Sequence, residues 1–207
     1  NRGACAWRDN HNNWHMTDIV FPSWPDVAPK LISVAAGRAF ADTVIRQGKW
    51  VNVHTREILP DHDIAIVAGR IAYVGPDASY CTGPETQVIE ANGRFMIPGL
   101  CDAHMHIESG MLTPAEFARA VIPHGTTSMF TDPHEIANVV GAEGIRYFLD
   151  SAEQTVMDVR INLSSCVPAT GFETSGAALE IADLEPFRRH PKVIGLAEMM
   201  NFPGVLH

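Results

Sequence analysis

Positive charge is scarce in this chain: its 207 residues carry 15 Lys and Arg against 24 Asp and Glu, a formal net charge of −9. Nucleic-acid binding needs a basic face that displaces counterions, and an anionic lipid surface draws on the same kind of patch. Neither nucleic acid nor membrane is therefore expected as a partner, although a small nucleobase substrate stays open. Cysteine is scarce too. Cys5, Cys81, Cys101 and Cys166 form no Cys-x-x-Cys pair and no regular spacing, which argues against a disulfide framework or a Cys-rich zinc site. Reduced thiols in a cytoplasmic protein are the simpler reading. No apolar run approaches ~18 residues, so no transmembrane helix is expected. The start lacks the basic-then-apolar order of a secretory signal. What remains, 46% hydrophobic and 19% charged, is a globular composition rather than a disordered, collagen-like or coiled-coil one. The chain opens on Asn1 rather than Met, which reads as a piece of something longer.

Three segments differ in texture. Residues 1–35 read as an irregular arm, with Trp7, Trp14 and Trp24 placed to lie against a larger body or a neighbouring subunit. Within it begins a short helix over 30–38, ended by Gly37. Residues 36–95 are β in character: a strand over 43–53, two strands around the Ala68-Gly69-Arg70 turn, and Gln87–Glu90 before Asn92-Gly93. This predicts a small β-sandwich or roll. From 96 to 207 strands alternate with helices. Strands are expected at 95–107, 126–130, 159–164 and 192–197. Helices are expected at 114–122, capped by Thr113 with Pro114 first and Glu116 third, at 142–152, and within 177–190 with a break near Pro186. This βαβαβαβ order implies parallel strands with right-handed crossovers, spaced as in a (β/α)8 barrel. The fold class is therefore α/β, the first half of a TIM-like barrel behind a small β-sandwich. A complete barrel takes ~250 residues, and a half barrel leaves two open parallel edges, so the chain reads as part of a longer enzyme.

His104 and His106 follow the strand that starts at Met96. Side chains two apart on a strand face the same way, so both imidazoles enter the barrel at a strand's C-terminal end, where barrel active sites lie. Imidazole ligates Zn, Fe and Mn alike. Alone, the His-x-His pair is a weak motif; among ten His about one such pair arises by chance. Glu198 ends the fourth strand, where it either caps the next turn or meets a metal that offsets its burial. Asp102, read as facing away from the pair but able to bend inward, stands behind it. His134 is a further metal ligand or a substrate contact, or a surface His behind a helix-starting Asp132; Glu135 would orient it. Cys166 reads as packing rather than nucleophile, because no base is identifiable beside it. His124 reads as a helix C-terminal residue, and His11, His15, His54, His62 and His190 as solvated.

The run Pro98-Gly-Leu-Cys-Asp-Ala-His-Met-His106 behind a β unit resembles the amidohydrolase superfamily. With His106-Ile-Glu-Ser-Gly-Met-Leu-Thr-Pro114, Asp132-Pro-His-Glu-Ile-Ala-Asn138, Ser164-Ser-Cys-Val-Pro-Ala169 and Gly195-Leu-Ala-Glu-Met-Met-Asn-Phe-Pro-Gly-Val205, residues 36–206 resemble the adenine deaminase family. One departure is Gly110, where that family usually has a second Ser. The resemblance implies a metal-dependent hydrolase of purine salvage that converts adenine to hypoxanthine and ammonia. It implies a divalent pair, Mn2+ or Fe2+ favoured and Zn2+ compatible, with His104 and His106 on one ion and Glu198 as bridge and catalytic carboxylate. Glu108 and Ser109 would line the purine pocket. Water activated by the metals would attack purine C6, and a general acid would release the amine. The family's later His and Asp residues lie outside these 207 residues, so the chain alone is expected to be inactive and the longer form a homo-oligomer. Two alternatives remain. A dihydroorotase- or hydantoinase-like enzyme cutting a cyclic amide would carry a carbamylated Lys where Glu198 stands. A non-catalytic binding module would keep the fold without the later ligands.

Overall fold

The computed structural model describes residues 2–8, 14–20 and 23–206, with side chains from residue 23 onward. Trp7, Trp14, Cys5, His11 and His15 thus lie outside the described side chains. Strands β1 (Arg2–Arg8) and β2 (Trp14–Val20) form an antiparallel ladder in register Arg2↔Val20, where an irregular arm was expected. Two compact units follow from the contact pattern, Phe21–Pro98 and a second that holds β1, β2 and residues from Gly99 on.

In the first unit, α1 spans Trp24–Ala35, six residues earlier than the sequence suggests. Pro25 lies in the first turn, where no N–H is needed. Pro29 is tolerated because the helix buries Val27 and Val34 completely. Gly37, at φ +69, takes the left-handed turn after the helix. Trp24 is 63% exposed, with the Arg70 guanidinium 5.9 Å from its ring centroid. The unit's sheet runs β5 (Arg70–Gly75), β4 (Glu57–Val67), β3 (Thr43–Asn52), β6 (Gln87–Glu90), with β7 (Phe95–Met96) pairing β3 beyond a break at Gly48. Alternation gives the sheet two apolar faces. Val44, Ala65 and Val67 pack with Val34 and Cys81, while Ile45, Ile64 and Ile66 pack with Trp50, Ala91 and Met96. Among the described residues this is one sheet with a helix; the second sheet of a sandwich is not present. His62 is half-buried, stacked 5.7 Å from Trp50, rather than solvated.

In the second unit, β8 (Leu100–Met105), β9 (Thr126–Thr131), β10 (Asp158–Leu163) and β11 (Val193–Leu196) form one parallel sheet in that order. The strand expected over 95–107 is split, because Pro98 has no N–H for a ladder. Helix α2 (Pro114–Val121) has Thr113 Oγ1 accepting the Glu116 N–H, as expected of that cap. The chain then crosses through α3 (His134–Val140) and α4 (Ala142–Glu153). The helix expected within 177–190 shrinks to α5 (Ile181–Leu184) and a 3-10 turn, and α6 (Phe202–Leu206) ends the chain. On β10, Val159, Ile161 and Leu163 are buried against the helices with Met129, Ile145 and Phe148, leaving Arg160 and Asn162 on the opposite face. His124 closes a 3-10 turn before Gly125. His190, 3.7 Å from Glu153, is half-buried. No helix among the described residues is long and apolar enough to cross a membrane.

Helices α3 and α4 meet at Gly144, where a Cβ would stand 2.9 Å from the backbone carbonyl of Ile136. Backbone cannot rotate away, so Gly144→Ala is expected to destabilise the protein by about 1–3 kcal/mol, read as a lowered urea midpoint at unchanged slope. An unchanged midpoint would show that the helices slide apart freely.

Candidate metal centre

Parallel strands deliver their C-terminal ends to one side, and each of β8 to β11 carries a polar residue near or just past that end. His104 lies on β8 and His106 one residue beyond it. Asp132 follows β9, Asn162 lies near the end of β10, and Glu198 stands two residues past β11. β8 and β11 are the outer strands of the sheet. Three strand spacings of ~4.8 Å would put their backbones ~14 Å apart in a flat sheet. Nevertheless Glu198 Oε1 lies 3.5 Å from His106 Nε2 and 3.8 Å from His104 Nε2. Sheet curvature and long side chains together close that gap, as barrel geometry requires.

The two imidazoles approach to 3.1 Å between their Nε2 atoms. His106 Nδ1 donates to the Asp132 backbone carbonyl at 2.9 Å, so its proton is fixed there and Nε2 carries a bare lone pair. Asp132 is 1% exposed. Its Oδ1 accepts from Asn162 Nδ2 at 2.7 Å, and its Oδ2 accepts the Glu198 N–H at 3.1 Å. One buried carboxyl group therefore ties three strand ends together. Sequence reasoning passed over this role; the available signal was an Asp directly after a β-branched strand end, at the level of the His pair on the neighbouring strand.

Asp102 shares the face of His104, since residues two apart do so, and its Oδ1 accepts the His104 N–H at 3.2 Å. The opposite facing expected of it does not hold. Glu198 is not buried but 49% exposed, so water shares the task of offsetting its charge. Glu135 Oε1 accepts from Ser109 Oγ at 2.7 Å, and its Oε2 lies 3.4 Å from His106 Nδ1. Burial would raise the Glu135 carboxyl, but the Ser109 hydroxyl, backbone N–H and His106 hold it below its ordinary value. Glu108 differs: burial pushes it up to about 7 against the hydrogen bond from the Ile136 N–H, and Glu135 adds repulsion. A cavity of about 260 Å³ opens beside the cluster, walled by His106, His134, Glu135, Cys166, Glu198 and Met200 among others. Glu108 and Ser109 stand behind Glu135 rather than on this wall. A side chain at Gly110 would meet nothing nearer than 4.0 Å, so packing there does not demand glycine. Cys166 is buried, with its thiol against Met199 Sδ; Cys81, Cys101 and Cys166 are free thiols.

His134 opens α3 and is 5% exposed, with its Nε2 3.4 Å from Glu198 Oε1 and 3.7 Å from Asp132 Oδ2. Its ring lies 5.0 Å from that of His106. Nitrogen and carboxylate donors at these separations suit a divalent transition metal. Two ligands of one ion at ~2.1 Å stand roughly 3.0–3.4 Å apart in octahedral or tetrahedral geometry. Separations of 3.1–3.8 Å fall close to that range.

Comparison with known proteins places the chain by sequence and by fold. The chain is 68% identical over 193 residues to an adenine deaminase of Ruegeria sp. (strain TM1040), covering 93% of this chain and 32% of that protein. It is 55% identical to adenine deaminase 3 of Rhizobium meliloti (strain 1021), covering 88% and 31%. It thus spans about a third of the length of the curated relatives it matches. Among solved structures, atrazine chlorohydrolase TrzN from Arthrobacter aurescens, complexed with zinc, superposes with a TM-score of 0.54 at 18% identity over 74% of this chain and 46% of that one. That likeness supports a partial barrel fold. The Amidohydrolase family profile matches residues 95–205, the parallel sheet with every residue of the cluster, and the chain belongs to the amidohydrolase family.

Proposed function

We propose that this chain supplies metal-binding strands of an enzyme that hydrolyses adenine to hypoxanthine and ammonia. The observation that carries the proposal is the convergence of His104, His106 and Glu198 within 3.1–3.8 Å, in a chain 68% identical to an adenine deaminase. His104 and His106 would hold one ion through Nε2, with Glu198 as the shared carboxylate. A bound divalent ion supplies the Lewis acidity that makes hydroxide available at neutral pH. His106 is oriented by the Asp132 carbonyl, and Asp102 fixes the backbone of His104. Glu135, kept anionic by Ser109, lies on the cavity wall as an acceptor for a ring or exocyclic N–H. The cavity of about 260 Å³ falls just below the range of drug-sized pockets and suits a small planar heterocycle. Imidazole and carboxylate ligands accept Mn2+, Fe2+ or Zn2+; Mn2+ or Fe2+ is our assignment by family resemblance.

The cyclic-amide alternative needs a bridging Lys at the end of β11, where Glu198 stands. The test is turnover by the metal-loaded protein that contains this chain. Adenine is expected to be preferred over dihydroorotate and hydantoin by on the order of 10³-fold or more in kcat/KM, with ammonia and hypoxanthine released together. Preference for either cyclic amide would overturn the proposal.

A further inference from the structure

Three carboxylates wall the cavity, and the metal-binding reading leaves one of them without a task. Glu198 Oε1 faces His106 Nε2 at 3.5 Å. Glu135 holds the Ser109 hydroxyl with one oxygen, and its other oxygen stands 3.4 Å from His106 Nδ1. Glu173 is the third. Its Oε1 accepts the Ala169 N–H, while among the described residues its Oε2 has no hydrogen-bond partner and no Lys, Arg or His pairs with the carboxylate.

The backbone holds Glu173 at one end of the cavity. It lies on the loop 164–180 that joins β10 to α5. The Gly176 and Ala177 N–H groups donate to the Asn138 carbonyl at 2.9 and 3.2 Å, which ties this loop to α3. The approach is close, since a Cβ at Gly176 would stand 2.4 Å from the Val139 carbonyl oxygen. Helix α3 puts His134 and Asn138, one turn apart on one face, on the same cavity wall. His134 Nε2 lies 3.4 Å from Glu198 Oε1, so Asn138 and the loop bound to it mark the end away from the metal ligands. There the Ala169 N–H orients the Glu173 carboxylate before any ligand arrives, which lowers the ordering cost of binding.

A purine has N–H groups at two places, the amine on C6 and one nitrogen of the five-membered ring. With C6 at the metal ligands, the five-membered ring points to the other end of the cavity. An ionised carboxylate only accepts hydrogen bonds, and no Lys or Arg stands on the described wall. This end matches an N–H and repels a phosphate. We propose that Glu173 Oε2 accepts the N–H of the five-membered ring and so selects a free purine base over a nucleoside or nucleotide, in which a sugar replaces that hydrogen. The proposal rests on the adenine-hydrolysing reading of the same cavity and assigns it a specificity-determining residue.

Steady-state kinetics of the metal-loaded protein containing this chain, with Glu173→Gln, test it. Gln has one side-chain oxygen, so with the Ala169 N–H satisfied its NH2 faces the ring N–H. KM for adenine is expected to rise about tenfold or more with kcat near that of wild type, because the bond is present in ground and transition states alike. Two competitive inhibitors locate the bond. The first, 7-deazaadenine, keeps the N9–H; its furan isostere has oxygen in that place and differs in nothing else. Wild type should bind the first more tightly by about tenfold or more. Glu173→Gln should lose or reverse that preference, because its NH2 can donate to the furan oxygen. A loop merely disturbed by the substitution would weaken both inhibitors alike. An adenine KM within about twofold of wild type, or the same inhibitor preference in wild type and variant, overturns the assignment. Absence of adenine turnover by the wild type overturns the reading beneath it, whereas turnover with an unchanged KM in Glu173→Gln overturns the role of Glu173 alone.

Discussion

Replacing His106 by Ala is expected to weaken Mn2+ binding at the His104 position on the order of 10³-fold or more, and to abolish adenine turnover with it. The scale follows from a comparison. Removing only a partner that stands behind a metal ligand costs about 10–100-fold, so loss of the ligand itself must cost more. His106 should also matter more than His104. Its ring is 23% exposed against 50%, and its Nδ1 is pinned to the Asp132 carbonyl at 2.9 Å. Among the described residues, His104 Nδ1 faces Asp132 Oδ2 at 3.7 Å, which is too far for a hydrogen bond. The His106 lone pair is thus aimed before an ion arrives, whereas His104 must order its ring on binding. His104→Ala should accordingly cost roughly tenfold less than His106→Ala. Titration of both variants with Mn2+ decides the point; His106→Ala within tenfold of wild type would show that the ion is held elsewhere.

Strand parity put His104 and His106 on one face before any coordinates, but the pair alone was a weak motif, and its reading as metal ligands rested on the resemblance carried by the run from Pro98 to His106. The α2 cap was legible locally, since Thr113, Pro114 and Glu116 act within one turn. Elements failed where distant backbone decided. Residues 177–179 have no helical bonds because the Gly176 and Ala177 N–H groups donate to Asn138 O and the Leu179 N–H to Val167 O. Helix α3 was missed because Pro133 reads as a turn, although a helix can begin directly after it. The exposure of Glu198 was misjudged because neighbours decide burial at a strand's end. Asp132 was the largest omission. Its partners, Asn162 and Glu198, lie 30 and 66 residues away, and no window of sequence brings three strand ends together.

That omission carries the second large effect. Asp132→Ala in metal-free protein is expected to cost about 2–3 kcal/mol, since the Glu198 N–H and the Asn162 amide both lose an acceptor in a largely buried setting. Water reaches Glu198, which is why the figure stays below that of a fully enclosed charge. Asp132→Asn should fare little better. An amide can turn its oxygen to the Glu198 N–H or to Asn162, but its NH2 then faces the other donor. Exchanging the pair, Asp132→Asn with Asn162→Asp, restores an acceptor opposite a donor and should recover at least about 1 kcal/mol of coupling. Urea unfolding after chelation isolates this mechanical role from any ion bound by Asp132. Mn2+ titration then reads its consequence, because a Glu198 backbone freed from its tether loses about 10–100-fold in affinity at the His104 and His106 position. Single variants within 0.5 kcal/mol of wild type, the range of ordinary surface changes, would mean that β11 holds Glu198 in place without help. Coupling of the expected size would instead make Asp132 the tie that sets the spacing between the first and fourth strands, and with it the 3.5 Å approach of Glu198 to His106.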